Sequence, residues 1–132
     1  MRICSIASGS SGNCIYIGDE DTHILIDAGI SRKAIEAGLK GLDIEGKDLD
    51  GIFITHEHSD HIKGLGVMAR KYAVPMYATK ETIWCIKKMA SLGKIEPELF
   101  SEIEPDQKMK LKTLSLCPFK ISHDAVNPVA YR

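Results

Sequence analysis

The chain has 132 residues, 44% of them hydrophobic and 27% charged, with 11 Gly and 5 Pro, a composition that excludes a fibre, a collagen-like repeat or a long disordered tail and leaves room for one core. The net charge of −1 is unevenly spread. Residues 1–60 carry 5 basic and 11 acidic side chains (−6) and residues 61–132 carry 12 and 7 (+5), which points either to a charged partner or to two solvated faces of opposite sign.

The start Met1-Arg2-Ile3-Cys4-Ser5 turns polar and glycine-rich by Ser8, before a secretory leader forms, and no apolar run approaches the ~20 residues of a spanning helix. A cytoplasmic chain without a membrane partner is therefore expected. Ile3 to Ile6 and Cys14 to Ile17 read as strands around the turn-rich Ser8-Gly9-Ser10-Ser11-Gly12-Asn13. Gly18-Asp19-Glu20-Asp21 is a hairpin turn by composition, and His23 to Asp27 is a third strand closed by Ala28-Gly29. Ser31 is placed to cap a helix carrying Ile35, Leu39 and Leu42, with Gly41 at its stop. The acidic linker 43–50 leads to Gly51-Ile52-Phe53-Ile54-Thr55, a buried strand by its β-branching. Ile62 to Tyr72 reads as one helix, Pro75 to Ala78 as a strand, and Thr79 as the cap of a helix with Ile83, Trp84, Ile86 and Ala90 inward. Lys108, Lys110 and Lys112 alternate with Met109 and Leu111 as a strand with one basic face, and Thr113 to Ile121 continues as strand, interrupted by Pro118. Cys4, Cys14, Cys85 and Cys117 lie far apart, with no C-x-x-C pair. They are expected to be free, small, buried hydrophobes. The expected class is α/β with mixed strands.

The chemistry concentrates in Thr55-His56-Glu57-His58-Ser59-Asp60-His61. Three of the five histidines and an aspartate follow directly on the buried strand and precede a helix. At a strand end His56 and His58, two apart, can converge on one point, with Asp60 and His61 reaching a second. Imidazoles with a carboxylate suit Zn²⁺, and also Mn²⁺ or Fe. Here the chain resembles the metallo-β-lactamase-fold metallohydrolases. His56-x-His58-x-Asp60-His61 is similar to their signature, Asp27-Ala28-Gly29 to their early D-x-G segment, and His123 to their next metal ligand. The Ser8–Asn13 segment and Ser122-His123-Asp124-Ala125 most resemble the bacterial YycJ/WalJ-type, exonuclease-like branch.

The resemblance implies an αβ/βα sandwich, of which residues 1–132 would be a single domain, incomplete at its C-terminal end. His56, His58 and His123 would hold one divalent ion, Zn or Mn, and Asp60 and His61 a second. The bridging Asp and last His that family members place further on are not found before Arg132, so two ions are expected in a complete domain and one or none here. Asp60 is expected both to ligate and to orient the attacking hydroxide. The implied function is phosphodiester hydrolysis on nucleic acid. The rivals are a thioester or other acyl substrate at the same site, or an inert half-domain that only binds metal.

Smaller candidates surround this motif. Asp27 either accepts a hydrogen bond from a ligand histidine or caps the turn at Gly29. Ser10, Ser11 and Asn13 either present donors to a phosphate or simply make a glycine-rich turn. His23 reads as a surface histidine, and Trp84, on the apolar stripe of its helix, as core in preference to a base-stacking platform. Lys80, Lys87, Lys88 and the Lys108/Lys110/Lys112 face either track a phosphate backbone or are solvated. Ile15, Ile17, Ile24, Ile26, Ile52 and Ile54 are expected to leave an apolar sheet face open to self-association.

Overall fold

The structure, a computed structural model, describes residues 1–122, 125 and 127–132. Six strands pair in chain order into one mixed sheet: β1 (Arg2–Ala7), β2 (Cys14–Gly18), β3 (His23–Ile26), β4 (Gly51–Phe53), β5 (Met76–Ala78) and β6 (Phe100–Glu102). The pairings β1/β2 and β2/β3 are antiparallel, and the other three are parallel. The change has a local cause. The turns before β2 and β3 are short and rich in Ser, Gly and Asp, and Asp19 Oδ1 closes the second by accepting from Asp21 N at 2.8 Å and Thr22 N at 2.9 Å. From β3 onward the connections carry helices, as parallel neighbours require: α1 (Arg32–Lys40), then α2 (Ser59–Ile62) and α3 (Leu65–Tyr72), then α4 (Lys80–Lys87). Ser31 and Thr79 cap α1 and α4 by accepting from Ala34 N and Thr82 N.

One sheet face carries the helices. Ile35 and Leu39 of α1, Leu65 and Met68 of α3, and Ile83 and Ile86 of α4 close over Tyr16, Leu25, Ile52, Ile54 and Met76. The opposite face carries two hairpins, β7 (Met109–Leu111) with β8 (Leu114–Leu116), and β9 (Pro118–Lys120) with β10 (Val129–Tyr131). Leu114 and Leu116 bury Ile24, Ile26 and Phe53, with Tyr131 beside them. The result is the expected α/β class: a mixed sheet flanked by helices, with β-hairpins on the other side. Among the described residues no helix is long and apolar enough to cross a membrane.

Several expectations need correction. The six isoleucines do not share an open face: Ile52 and Ile54 lie under the helices, Ile24 and Ile26 under the second hairpin layer. The large apolar side chains of the sheet that are exposed are Ile3 of β1 and Ile15 of β2. The 62–72 helix is broken at Gly64, whose N–H donates to Ala28 O at 2.8 Å and whose Cα has no room for a Cβ, which would meet Ile30 O at 2.0 Å. Trp84 is 58% exposed, and Ala90 is also outside. On α4 the inward positions are Thr79, Thr82, Ile83 and Ile86, at i, i+3, i+4 and i+7, and Trp84 is rotated about 100° from Ile83. The 108–112 run does not continue onward but folds back. Lys112 takes a left-handed φ of 52° in the turn between β7 and β8, and its Nζ pairs with Asp50 Oδ1 at 2.7 Å. Lys71 pairs with Glu36 across the same boundary, so the charge segregation along the chain is partly neutralised in space. His23 is half-buried, with Nδ1 2.6 Å from Tyr16 Oη.

All four cysteines are free, but only Cys14 is buried. Burial, aided by the Asp27 charge, pushes the Cys14 thiol up to about 12. The thiolate is the reactive form. Iodoacetamide at pH 8 is therefore expected to modify half-buried Cys4 and Cys117 in the folded protein and leave Cys14 untouched until denaturant is added, as read by peptide mass mapping. Early labelling of Cys14 would contradict this burial.

Candidate metal centre

Strands β3 and β4 run parallel, so their C-terminal ends share one sheet edge, where sites in such sheets collect. β3 ends into Asp27 and β4 into Ile54-Thr55-His56. Asp27 N donates to Phe53 O at 2.8 Å, and its left-handed φ of 66°, tolerated by Asp better than by most residues, turns the carboxylate back toward β4. That carboxylate is buried and collects three donors. Oδ1 accepts from Thr55 N at 2.8 Å, and Oδ2 accepts from Thr55 Oγ1 at 2.8 Å and from His61 Nδ1 at 2.6 Å.

These bonds set the tautomers. Asp27 Oδ2 accepts, so a neutral His61 carries its proton on Nδ1 and its lone pair on Nε2. The Thr55 hydroxyl gives its hydrogen to Asp27, so toward His56 Nδ1, 2.9 Å away, it can only accept. His56 is thus also protonated on Nδ1, with Nε2 as its basic nitrogen. Burial pushes Asp27 up while the His61 and Thr55 hydrogen bonds oppose it. Burial disfavours the His61 cation, but the hydrogen bond and charge of Asp27, with the charge of Asp60, outweigh it and raise His61 above the ordinary histidine value.

The three imidazoles gather around His56. Its ring centroid is 4.8 Å from that of His58 and 4.0 Å from that of His61. Asp60 Oδ2 lies 3.5 Å from His61 Nε2. Asn13 sits against that pair: its Nδ2 donates to Asp60 Oδ2 and Asp60 O, each at 3.2 Å, and is 3.4 Å from His61 Nε2. Its backbone N–H donates to Asp60 O at 2.7 Å, and its carbonyl accepts from Gly29 N at 2.8 Å. Asn13 is therefore a tie between the Ser/Gly loop, the D-x-G turn and the histidine loop, while Ser10 and Ser11 are exposed on the same loop. β10 secures the β4 end from the other side, with Val129 N donating to Thr55 O at 2.9 Å and Tyr131 Oη to Ile54 O at 2.6 Å.

His56, His58, Asp60 and His61 are thus brought together, with Asp27 behind them, and His123 lies outside the described residues. Among the described residues no group of three or more His, Cys, Asp or Glu side chains is arranged to hold a metal ion. The donor set nevertheless fits a divalent ion in kind: imidazoles with basic Nε2 atoms beside a carboxylate, one of them backed by a buried Asp, as ligand histidines commonly are. Thr55 is the participant that the sequence reading passed over. Its position between the strand and the first histidine is the signal, since a hydroxyl just past the end of a buried strand lies at the site edge.

The sequence model of the metallo-beta-lactamase superfamily matches residues 7–83, which include the Ser/Gly loop, Asp27 and the whole histidine loop. The chain belongs to the metallo-beta-lactamase superfamily. It is 42% identical over 139 residues to exodeoxyribonuclease YycJ of Bacillus anthracis, matching 99% of this chain and 49% of that protein. It is 41% identical over 127 residues to exodeoxyribonuclease WalJ of Streptococcus pneumoniae, with 96% and 47% covered. The chain thus spans about half the length of these curated relatives. Among solved structures, the subclass B3 metallo-beta-lactamase BJP-1 of Bradyrhizobium japonicum superposes with a TM-score of 0.79 at 15% identity, over 98% of this chain and 52% of that one, a likeness of fold alone. The superfamily fold expected from His56-x-His58-x-Asp60-His61 is thereby established.

Proposed function

We propose that this protein is a metal-dependent phosphodiesterase acting on nucleic acid, DNA in the first place, with His56, His58, Asp60, His61 and His123 as its metal ligands. The observation that carries the reading is the histidine loop, held by Asp27 at the sheet edge of a chain 41–42% identical to proteins named exodeoxyribonucleases. Divalent ions there, Zn or Mn, supply Lewis acidity, which lowers the pKa of water and offsets charge on the attacked phosphoryl group.

The chain's own residues do the positioning. Asp27 keeps the His61 proton on Nδ1 and, through Thr55, the His56 proton on Nδ1, so both Nε2 atoms stay basic. The Asn13 amide holds the Asp60 carboxylate by a donor to Oδ2. Asp60 is the group placed to ligate and to orient the nucleophile. Ser10 and Ser11, exposed beside Asn13, are the proposed phosphate contacts.

The test pairs metal content with turnover. Protein purified without chelator is expected to carry Zn or Mn by elemental mass spectrometry, and a His56→Ala/His58→Ala double variant to lose it. End-labelled DNA is expected to be shortened in a chelator-sensitive way, weakly where residues 1–132 hold a single ion, while a thioester substrate is left intact. Equal metal content in the two proteins, or thioester cleavage without DNA cleavage, would overturn the proposal.

A further inference from the structure

We propose that the exposed face of α4, centred on Trp84, is a docking surface for single-stranded nucleic acid, the indole stacking on a base and Lys80, Lys87 and Lys88 meeting its phosphates. The proposal rests on the nuclease reading above and adds where the substrate is gripped.

Trp84 is the chain's sole tryptophan and is 58% exposed. A side chain of that size is seldom left in water on a helix whose inward face is already filled by Ile83 and Ile86. Its surroundings are cationic. Lys80, Lys87 and Lys88 are exposed on the same helix, and Lys88 Nζ stands 3.4 Å from the indole centroid. The acidic residue of α4, Glu81, is engaged by Asn127 Nδ2 at 2.9 Å. An aromatic platform among cations is the pattern that binds single strands, because every base offers a π-face while the lysines follow the backbone. A duplex hides those π-faces in its stack, so the surface fits a single strand better. An exposed cation–π contact is weaker than a base stacked on an indole, so an incoming base can displace Lys88 from the ring and leave its ammonium for a phosphate.

The location suits the same reading. β4 and β5 are parallel, with Phe53 opposite Tyr77, and end at one sheet edge. β4 leads there into the histidines and β5 leads through Thr79 into α4. α4 therefore starts from the same sheet edge as the histidine loop.

Trp84 reports on its own occupancy, since no other tryptophan emits. Metal-free protein in chelator, where no turnover occurs, is titrated with a 12-nucleotide oligothymidylate, with an abasic 12-mer of equal charge, and with a 12-base-pair duplex. The oligothymidylate is expected to quench Trp84 emission and the abasic strand to bind with little quenching. By anisotropy of a labelled oligothymidylate, Trp84→Ala is expected to lose about five- to 100-fold in affinity and Trp84→Phe less, with melting temperatures unchanged. A Lys80→Gln/Lys87→Gln/Lys88→Gln variant is expected to lower the slope of log affinity against log salt by roughly 0.7 per lost phosphate contact. Equal affinity for the abasic and oligothymidylate strands, an unaffected Trp84→Ala variant, or emission that shifts with protein concentration instead of with DNA would overturn the proposal. The two readings fail separately. Trp84-dependent binding without metal-dependent cleavage would remove the nuclease assignment only. Cleavage that Trp84→Ala leaves unchanged in KM and kcat would remove the platform only.

Discussion

Asp27→Asn is expected to leave the fold standing and to weaken metal binding at the histidine loop by about 10- to 100-fold, the usual cost of losing a carboxylate behind ligand histidines. The asparagine is the same shape, and its Oδ1 can still accept from Thr55 N, where Asp27 Oδ1 accepts at 2.8 Å. Its other atom, however, becomes an NH₂. Facing Thr55 Oγ1 and His61 Nδ1, it must donate where the carboxylate accepted. The His61 proton then moves to Nε2. Thr55 Oγ1, now accepting from the introduced amide, turns its hydrogen to His56 Nδ1 and drives that proton to Nε2 as well. Both nitrogens proposed to meet a metal would carry hydrogens instead of lone pairs. Asp27→Ala tests the same network differently. It strands the Thr55 amide and the His61 Nδ1–H at a mostly buried site, and a loss of about 1–3 kcal/mol of stability is expected, the cost of leaving a buried donor without its acceptor. Titration calorimetry with Zn²⁺ gives the affinities, and ¹⁵N shifts of the histidine rings give the tautomers. Unchanged affinity in Asp27→Asn with the Nδ1–H tautomers intact would show that Asp27 does not set the ring protons.

How legible this site is in the sequence follows from which forces are local. Strand, cap and turn signals depend on near neighbours, so Cys14 to Ile17, the Ser31 cap and the buried Gly51 to Ile54 run are readable directly. The histidine loop is readable for the same reason: its donors fall within six consecutive positions, 56–61, just past a strand end. The break at Gly64 is not, because it is imposed by carbonyls of Ala28 and Ile30, more than thirty residues away. Trp84 misleads because composition marks a large aromatic as core, while the inward face of α4 is decided by a phase of one residue. Asn13 reads as one more turn residue, and only the approach of Asp60, forty-seven positions on, gives it a place in the site. The alternating lysines 108–112 read as one straight strand. They instead turn back at Lys112, in left-handed backbone, whose pairing with Asp50 depends on the acidic linker before β4.

Gly29→Ala is expected to be the most damaging single-methyl change near the site. A Cβ at Gly29 would stand 1.8 Å from Asp60 O, 2.4 Å from Asp60 C and 2.8 Å from Asn13 N. These are backbone atoms, so no rotamer change relieves the contact. Nor is the facing backbone free to retreat. Asp60 O accepts from Asn13 N at 2.7 Å, His61 O accepts from Ala28 N at 2.8 Å, and Gly29 N itself donates to Asn13 O at 2.8 Å. Space for the methyl is made only by parting the D-x-G turn from α2, which carries Asp60 and His61 away from Asp27. Overpacking of this kind costs about 1–3 kcal/mol and sometimes more. The upper part of that range applies here because the collision is with hydrogen-bonded main chain, and the melting temperature is expected to fall by roughly 10 °C. Gly41→Ala is the matched control. Gly41 has helical φ of −62° and its added Cβ would meet nothing closer than 3.5 Å, so the change is expected to be neutral or to stabilise by about 0.4–1 kcal/mol through the unfolded chain. Thermal melts of the two variants decide the matter, and Zn²⁺ titration of each separates a site effect from a general one. Gly29→Ala melting with the wild type and retaining its metal affinity would mean that the turn and the histidine loop are not held in the register described.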